Sequence, residues 1–152
     1  MTQNYKLMLE KGLQFQDFVT DILIKELGIS LSSYSSREYQ NVKGENKQGF
    51  EIKFDDKYII TGNLYIEISE KANENNLKYI DSGIFRNDNT WLYIIGNYNE
   101  LFIFSKKYLI LMYESKKYRE VETPTSRGIL INKKDAEKYC IKKILINNKT
   151  NE

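Results

Sequence analysis

The chain has 152 residues, which is enough for one domain and too few for two domains of ordinary size. Hydrophobic residues make up 41% of it and charged residues 29%, which is typical of a globular protein. It has no histidine and one cysteine, which excludes His-ligated zinc sites, Ser-His-Asp and Cys-His catalysis and an internal disulfide bond. The net charge is +2, but residues 1–105 carry 11 Lys and Arg against 15 Asp and Glu, whereas residues 106–149 carry 12 against 5. The basic second part favours contact with a polyanion such as DNA.

No apolar run approaches the roughly 20 residues of a transmembrane helix, and the first residues lack the apolar core of a signal peptide. A single cysteine, Cys140, is typical of a protein from a reducing compartment. We therefore expect a cytoplasmic protein with no membrane partner and a single domain over residues 1–152.

The first predicted element is a helix over residues 7–27, because apolar residues recur at spacings of three and four and a glycine follows as a natural stop. Residues 29–48 are polar and rich in serine, with a short strand predicted near 37–42. The period then changes to two, which predicts strands at 50–55 and 64–69. Turn-prone residues lie between these strands, so we predict that they form a hairpin.

The second half of the chain continues this mixture of helices and strands. We predict a polar loop or short helix at residues 73–78 and a hairpin of two strands at 91–95 and 101–104. A helix at 106–113, a strand at 128–131 and a final helix at 134–145 follow. Trp91, Tyr93 and Phe102 are expected in the core. The predicted fold class is α+β (or α/β), with a mixed central β-sheet flanked by helices.

Acidic residues lie on both strands of the first predicted hairpin. Symmetry about its midpoint places Glu51 opposite Glu67 and Lys53 opposite Tyr65, with the β-carbons of each pair roughly 4.5–5.5 Å apart. Two carboxylates that close repel each other unless a proton or a cation lies between them. Because oxygen ligands favour a hard divalent cation, the pattern predicts a metal site.

An E-x-K triplet flanked by hydrophobic residues, in the segment Gly49–Phe54, precedes the second acidic strand. This pattern resembles the PD-(D/E)xK, or restriction-endonuclease-like, nuclease superfamily. In the first helix Gly12 is followed four residues later by Gln16, which is similar to the phage and bacterial Holliday-junction-resolvase branch, where that second position is an acid. The resemblance covers roughly residues 8–105 and implies a restriction-endonuclease-like core.

Two alignments of the motif are open. In one, Glu51 is the first acid and Glu67 the second, with a serine where the family has a lysine. In the other, Glu51 and Lys53 belong to the E-x-K triplet itself, and Glu45 or Glu38 is the earlier acid. Both alignments keep Glu51 and Lys53, which are therefore the first candidates.

The resemblance implies an endodeoxyribonuclease that depends on Mg²⁺ (or Mn²⁺). Its implied catalytic residues are Glu51, Lys53 and Glu67, and its implied metal ligands are Glu51, Glu67 and Glu45. The metal would polarise the scissile phosphate of DNA and lower the pKa of the attacking water, while Lys53 would stabilise charge that develops on the phosphate. Cutting both strands of a duplex favours a homodimer.

Other interpretations stay open. Alternating Glu and Lys is typical of the solvated face of an antiparallel sheet, where a cross-strand ion pair between Lys53 and Glu67 accounts for the same residues without an active site. A glutamine and a serine in place of the motif's acid and lysine favour a non-catalytic DNA- or protein-binding module on a similar sheet. Arg127, Lys133 and Lys134 are predicted to contact nucleic acid.

Overall fold

The structure is a computed structural model that describes residues 3–34 and 36–146. The helices in this part of the chain are α1 (Gln3–Leu27), α2 (Arg37–Lys43), α3 (Tyr58–Thr61), α4 (Lys106–Glu114) and α5 (Lys133–Tyr139). The strands are β1 (Phe50–Phe54), β2 (Asn63–Glu70), β3 (Ile80–Asp81), β4 (Leu92–Gly96), β5 (Glu100–Ser105), β6 (Glu120–Glu122), β7 (Ser126–Asn132) and β8 (Lys142–Leu145). None of the helices in the described residues has the length and apolar character needed to cross a membrane.

The long helix α1 confirms the helix predicted over residues 7–27 and begins earlier. Its buried side chains, Phe15, Val19 and Leu23, recur every four residues and therefore lie on one face. The helix ends at Gly28, whose φ of 66° is the left-handed conformation that glycine adopts without strain. One face of α1 is thus available to cover a sheet.

The strands form two four-stranded sheets. In the first sheet the order is β1-β4-β5-β8, with β1 parallel to β4 and the other pairs antiparallel. In the second sheet the order is β3-β2-β7-β6, and every pair is antiparallel. The predicted α+β class is confirmed, and the first sheet is the mixed one.

The first sheet lies between two hydrophobic clusters. On one face, Phe50 and Ile52 of β1 pack in a cluster with the buried residues of α1. On the other face, Tyr93 of β4 belongs to a cluster that contains Ile66 of the second sheet. Because side chains alternate along a strand, Glu51 lies on the face of β1 turned away from α1. The acid of the E-x-K segment, Glu51, therefore lies on the face turned towards the second sheet.

The predicted pairing of the first two strands is wrong, although both strands are present. Strand β1 pairs with β4, so Glu51 is opposite Tyr93 rather than Glu67. Strand β2 pairs with β7, so Glu67 is opposite Gly128. The two acids come from different sheets, and any contact between them has to be made across the space between the sheets.

The second predicted cross-strand pair is wrong for the same reason. Lys53 is opposite Ile95, and Tyr65 is opposite Leu130. The connection that was expected to be a hairpin turn contains the helical turn α3, whose Tyr58 is buried with 4% of its surface exposed. Because this ring is buried, the connection packs against the core as the chain passes from the first sheet to the second.

Two other predicted elements differ from the structure. Residues 37–42 form α2 instead of a strand, because the hydroxyl of Ser36 accepts a hydrogen bond from the backbone N–H of Tyr39 at 3.2 Å and caps the helix. The helix predicted over residues 134–145 ends at Tyr139. The remaining residues form β8, because they pair with the edge of β5 and complete the first sheet.

The other predictions for the second half agree with the structure, apart from one core residue. The hairpin of β4 and β5, helix α4 and strand β7 are confirmed, and residues 73–78 are a loop. Tyr93 and Phe102 are buried as expected. Trp91 is 57% exposed, because its indole N–H donates to the backbone oxygen of Gln48 at 2.7 Å outside the core.

Asp55, directly after β1, connects the two sheets. Its carboxylate accepts hydrogen bonds from the backbone N–H of Tyr65 in β2 at 2.8 Å and from that of Tyr58 in α3 at 3.1 Å. Burial raises the pKa of the Asp55 carboxyl, and the backbone donors act in the opposite direction. One side chain thus caps the helical turn and fixes the start of β2 beside the end of β1.

We expect Asp55→Ala to lower the free energy of unfolding by about 1–3 kcal/mol, because two backbone donors lose their acceptor in a partly buried place. Asp56→Ala is the matched control, since Asp56 is the exposed next residue and should change the value by less than about 0.5 kcal/mol. Urea unfolding followed by circular dichroism measures both. Equal losses in the two variants would contradict the connecting role of Asp55.

Candidate functional site

Two cavities meet at Lys53. The first, here named the acidic cavity, has a volume of about 440 Å³ and is bounded by α1, the segment after α2, and β1. Its polar lining includes Gln16, Glu45, Glu51, Lys53 and Asp88. The second, here named the inter-sheet cavity, has a volume of about 450 Å³ and is lined by residues of both sheets. Its lining includes Lys53, Tyr65, Glu67 and Tyr93.

Glu51 is a buried acid at the boundary of the site, with 4% of its surface exposed. Its Oε1 lies 3.0 Å from Nζ of Lys53, the residue two positions along the same face of β1. Its Oε2 accepts a hydrogen bond from the hydroxyl of Thr90 at 3.3 Å. A buried carboxylate is tolerated when a cation and a hydroxyl compensate it, so these partners hold Glu51 in one orientation.

Glu45 lies in the acidic cavity beside Glu51. Its Oε1 accepts a hydrogen bond from the side-chain amide of Gln16 in α1 at 3.3 Å, and its Oε2 accepts one from the backbone N–H of Ile52 at 3.2 Å. Burial, followed by repulsion from Glu51, raises the pKa of Glu45 to about 8, although Lys53 acts in the opposite direction. Two cations, Lys53 and Arg86, line the cavity together with Glu45, Glu51 and Asp88.

Lys53 is the cation that the acids share. Glu51 raises the pKa of Lys53 most, and Glu45 and Glu67 raise it further, against the effect of burial. The side chain is 45% exposed and lines both cavities. A fixed cation that is accessible from a cavity can contact an anionic ligand.

Glu67 approaches from the second sheet, where a bulge in β2 sets its direction. The register of β2 against β7 shifts between Glu67 and Ser69. The hydroxyl of Ser82 donates to Oε2 of Glu67 at 3.0 Å. Gly83, with φ of 55°, packs so closely that a Cβ there would overlap the Glu67 carbonyl oxygen. Burial raises the pKa of the Glu67 carboxyl, and Lys53 acts against this.

The donor atoms of the acidic cavity fit a hard cation. Glu45 and Glu51 repel each other and offer only oxygen, whereas Asp88 is already 3.4 Å from Nζ of Lys106. Within residues 3–34 and 36–146, no group of three or more acids or cysteines is arranged to hold a metal ion. A cation would therefore have two carboxylate ligands and take its others from water or phosphate, which is common for Mg²⁺.

The structure brings the four predicted acidic and basic site residues together, but not in one cavity. Glu45 and Glu51 line the acidic cavity, Glu67 lines the inter-sheet cavity, and Lys53 lies at both. Of the two acids considered as the earlier member of the motif, Glu45 is next to Glu51, whereas Glu38 is exposed in α2. The local arrangement therefore favours the alignment in which Glu45 precedes the E-x-K triplet.

The three residues predicted to contact nucleic acid lie on β7 and α5. Nε of Arg127 is 2.9 Å from Oε1 of Glu122, which neutralises part of its charge. Nζ of Lys133 is 3.9 Å from Oε1 of Glu100. Lys134 is exposed, and no ion pair involves it among the residues described. Lys134 is therefore the most accessible of the three cations.

The sequence analysis missed the residues that surround these acids. Thr90 holds Glu51 and Ser82 holds Glu67, but isolated hydroxyls in polar segments give no signal in a sequence. Tyr93 was expected only in the core. Its hydroxyl is buried and has no hydrogen-bond partner in the described part of the chain. A tyrosine inside the otherwise apolar strand LYIIG is the one sequence signal that could have indicated it.

The pKa of Glu45 predicts how stability depends on pH. The folded-state pKa of Glu45 is raised to about 8, above the ordinary value of 4.5. The contribution of the protonated Glu45 carboxyl to the free energy of unfolding is therefore fully present below about pH 4.5 and is lost as the pH rises through 8. Glu45→Gln keeps a neutral amide at every pH. We expect similar free energies of unfolding for variant and wild type near pH 4.5, and a variant more stable by at least about 1 kcal/mol near pH 8.5.

Urea unfolding at the two pH values measures this difference, and Glu38→Gln is the matched control, since Glu38 is exposed in α2. The control should follow the wild type at both pH values. A Glu45→Gln variant that loses stability at the higher pH would show that Glu45 is favourably ionised in the fold, contrary to the repulsion described above.

Comparison with known proteins adds no assignment. No protein family, curated protein or solved structure matches the chain. The function therefore has to be argued from the geometry and chemistry of the two cavities around Lys53.

Proposed function

We propose that the protein is a metal-dependent deoxyribonuclease that hydrolyses phosphodiester bonds with Mg²⁺ or Mn²⁺. The observation that carries the proposal is that Glu51 lies 3.0 Å from the ammonium of Lys53, while Glu45 and Glu67, from two other segments, line the cavities that Lys53 also lines. A solvated sheet face does not require acids from two sheets to meet at one lysine. A phosphodiester site uses such a group, because it needs carboxylates for a hard cation and a positive charge for the phosphate.

In this mechanism Glu45 and Glu51 would hold the cation, which would supply Lewis-acid polarisation of a phosphodiester. Glu51 is positioned by the Thr90 hydroxyl, and Glu45 by the Gln16 amide and a backbone N–H. The ammonium of Lys53 stabilises negative charge on the phosphate oxygens. Glu67, held by the Ser82 hydroxyl, lies in the lining of the inter-sheet cavity with Lys53 and adds negative charge on that side.

The contact between α1 and the acidic cavity further supports the proposal. The first helix of the family that the sequence resembles contributes an acid, and Gln16 occupies that position here. Its amide donates to Glu45 at 3.3 Å. The helix thus reaches the proposed cation site through a neutral side chain, which leaves Glu45 and Glu51 as the carboxyl groups available to a cation. The excess of Lys and Arg in residues 106–149 adds a favourable field for DNA.

Cleavage of supercoiled plasmid, linear duplex and single-stranded DNA tests the proposal. With Mg²⁺ or Mn²⁺ we expect cutting that EDTA abolishes. Glu51→Gln and Lys53→Met should each lower the rate about 100-fold or more, because each removes a group that acts on the cation or on the developing charge. Nicked and linear products distinguish one active chain from the symmetric pair that cutting both strands requires.

The matched controls come from the same strand and from an exposed loop. Glu67→Gln is compared with Glu70→Gln, since Glu70 is exposed near the end of β2, and Lys53→Met is compared with Lys47→Met. Both controls should keep the wild-type rate within about twofold. Circular dichroism verifies that each variant is folded. Equal activity in Lys53→Met and Lys47→Met would overturn the role assigned to Lys53.

A second candidate function is a non-catalytic module that binds DNA or protein. The observation that favours it is the close ion pair of Lys53 with Glu51 at 3.0 Å, which satisfies both groups without a metal. Calorimetry with Mn²⁺ discriminates between the two functions. A nuclease should bind the ion with an affinity that Glu45→Gln or Glu51→Gln weakens at least about tenfold, whereas a binding module should be indifferent to both changes.

A further inference from the structure

We propose that the inter-sheet cavity binds one unstacked nucleotide of the DNA strand, with its base inside and its phosphate towards Lys53. This inference rests on the proposed function, because it defines the substrate class of the same site. It predicts a preference for single-stranded or locally melted DNA, since a base inside a duplex cannot enter a cavity without leaving the stack.

The size and lining of the cavity fit a flat, largely apolar group. Its volume of about 450 Å³ lies within the range of small-molecule sites, which are mostly apolar with a few placed polar groups. Its floor contains the side chains of Ile66, Tyr93 and Ile95, each buried. Tyr65 adds a partly buried aromatic ring to the wall. Rings of this kind stack with nucleobases regardless of sequence.

The ring of Tyr65 is fixed in place, which makes it a preformed wall. Its hydroxyl shares a hydrogen bond of 2.6 Å with the hydroxyl of Ser126. Gly128 lies beneath the ring, and a Cβ at this glycine would come within 2.6 Å of the ring atoms. The absence of a side chain at Gly128 therefore allows the ring to lie flat against β7, and little ordering is needed when a ligand binds.

The buried hydroxyl of Tyr93 indicates that a polar ligand enters. Tyr93 lines the cavity, is 3% exposed, and its hydroxyl has no partner among the described residues. Buried hydroxyls almost always have a partner, because an unsatisfied one costs free energy. A base edge carries oxygen and nitrogen acceptors, so a nucleotide supplies what this hydroxyl lacks, whereas an aliphatic chain does not.

Cations at the edge of the cavity complement a phosphate. Lys57 and Arg119 both line it and are exposed, and no ion pair in the described parts of the chain involves either side chain. Of the acids in the lining, Asp55 accepts two backbone hydrogen bonds, Glu67 accepts one from the hydroxyl of Ser82, and Glu122 is paired with an arginine. Asp56 is exposed and has no ion pair in the described residues, so the open charges are two positive against one negative, which favours a nucleotide over an uncharged aromatic ligand.

Titration of dTMP, thymidine, inorganic phosphate and a short oligothymidylate, in EDTA, tests the cavity independently of cleavage. Calorimetry and amide NMR shifts report binding. We expect dTMP to bind more tightly than thymidine or phosphate alone, and the oligothymidylate at least as tightly as dTMP. Arg119→Ala should weaken dTMP binding about tenfold, and Tyr93→Phe about three- to tenfold.

Lys117→Ala is the matched control for Arg119→Ala, because Lys117 is exposed in the same segment but does not line the cavity. Its affinity should stay within about twofold of the wild type. Tyr93→Phe keeps the ring and removes an unpartnered hydroxyl, so it should remain folded, which thermal unfolding verifies. Affinities unchanged in both Arg119→Ala and Tyr93→Phe would overturn the site.

Failure of this inference is distinguishable from failure of the nuclease proposal. Metal-dependent cleavage without binding of dTMP at about 1 mM in EDTA would overturn the nucleotide cavity and leave the nuclease intact. Binding of dTMP that the variants weaken, without any cleavage, would support the cavity and refute the nuclease. Binding of dTMP but not of the oligothymidylate would refute a strand as the substrate, because a free nucleotide would then be the ligand.

Discussion

The arrangement of the site depends on one charge, the ammonium of Lys53. Glu45, Glu51 and Glu67 reach it from the segment before β1, from β1 itself and from β2 of the other sheet. Without this cation, three acids would face one another in partly buried surroundings, and removing one partner of a buried ion pair costs several kcal/mol. Acids from both sheets can lie near one another because the positive charge of Lys53 reduces the repulsion between them.

Asp55 fixes the place where the chain passes from the first sheet to the second, which places β2 beside Lys53. The chain has to leave the first sheet after β1 and enter the second at β2, and the short helix α3 accomplishes this change. By accepting hydrogen bonds from the backbone of both α3 and β2, Asp55 fixes the crossing point. The inter-sheet cavity opens beside this crossing point and includes Asp55 in its lining. The position of this part of its wall therefore depends on the hydrogen bonds from the backbone to the Asp55 carboxylate.

Periodicity in the sequence was sufficient to locate the strands and not to pair them. Phe50–Phe54 and Asn63–Glu70 alternate clearly, so both strands were predictable. Their partners were not, because pairing with β4 and β7 is decided by contacts distant in sequence, and Tyr58 in the connection gave no sign of the helical turn. Glu51 and Lys53 were found because their chemistry is local, whereas the hydroxyl of Tyr93 acquires its importance only from where the second sheet places it.

The two partners of the ion pair between Lys53 and Glu51 differ in exposure, and this difference bears on function. Glu51 is buried and also bonded to Thr90, whereas the Lys53 side chain is 45% exposed. Glu51 keeps the Thr90 hydroxyl as a second partner, so its carboxylate remains held when the flexible Lys53 side chain also contacts a phosphate. The partial exposure of the Lys53 side chain suits a site whose cation has to serve both its own acids and an incoming anion.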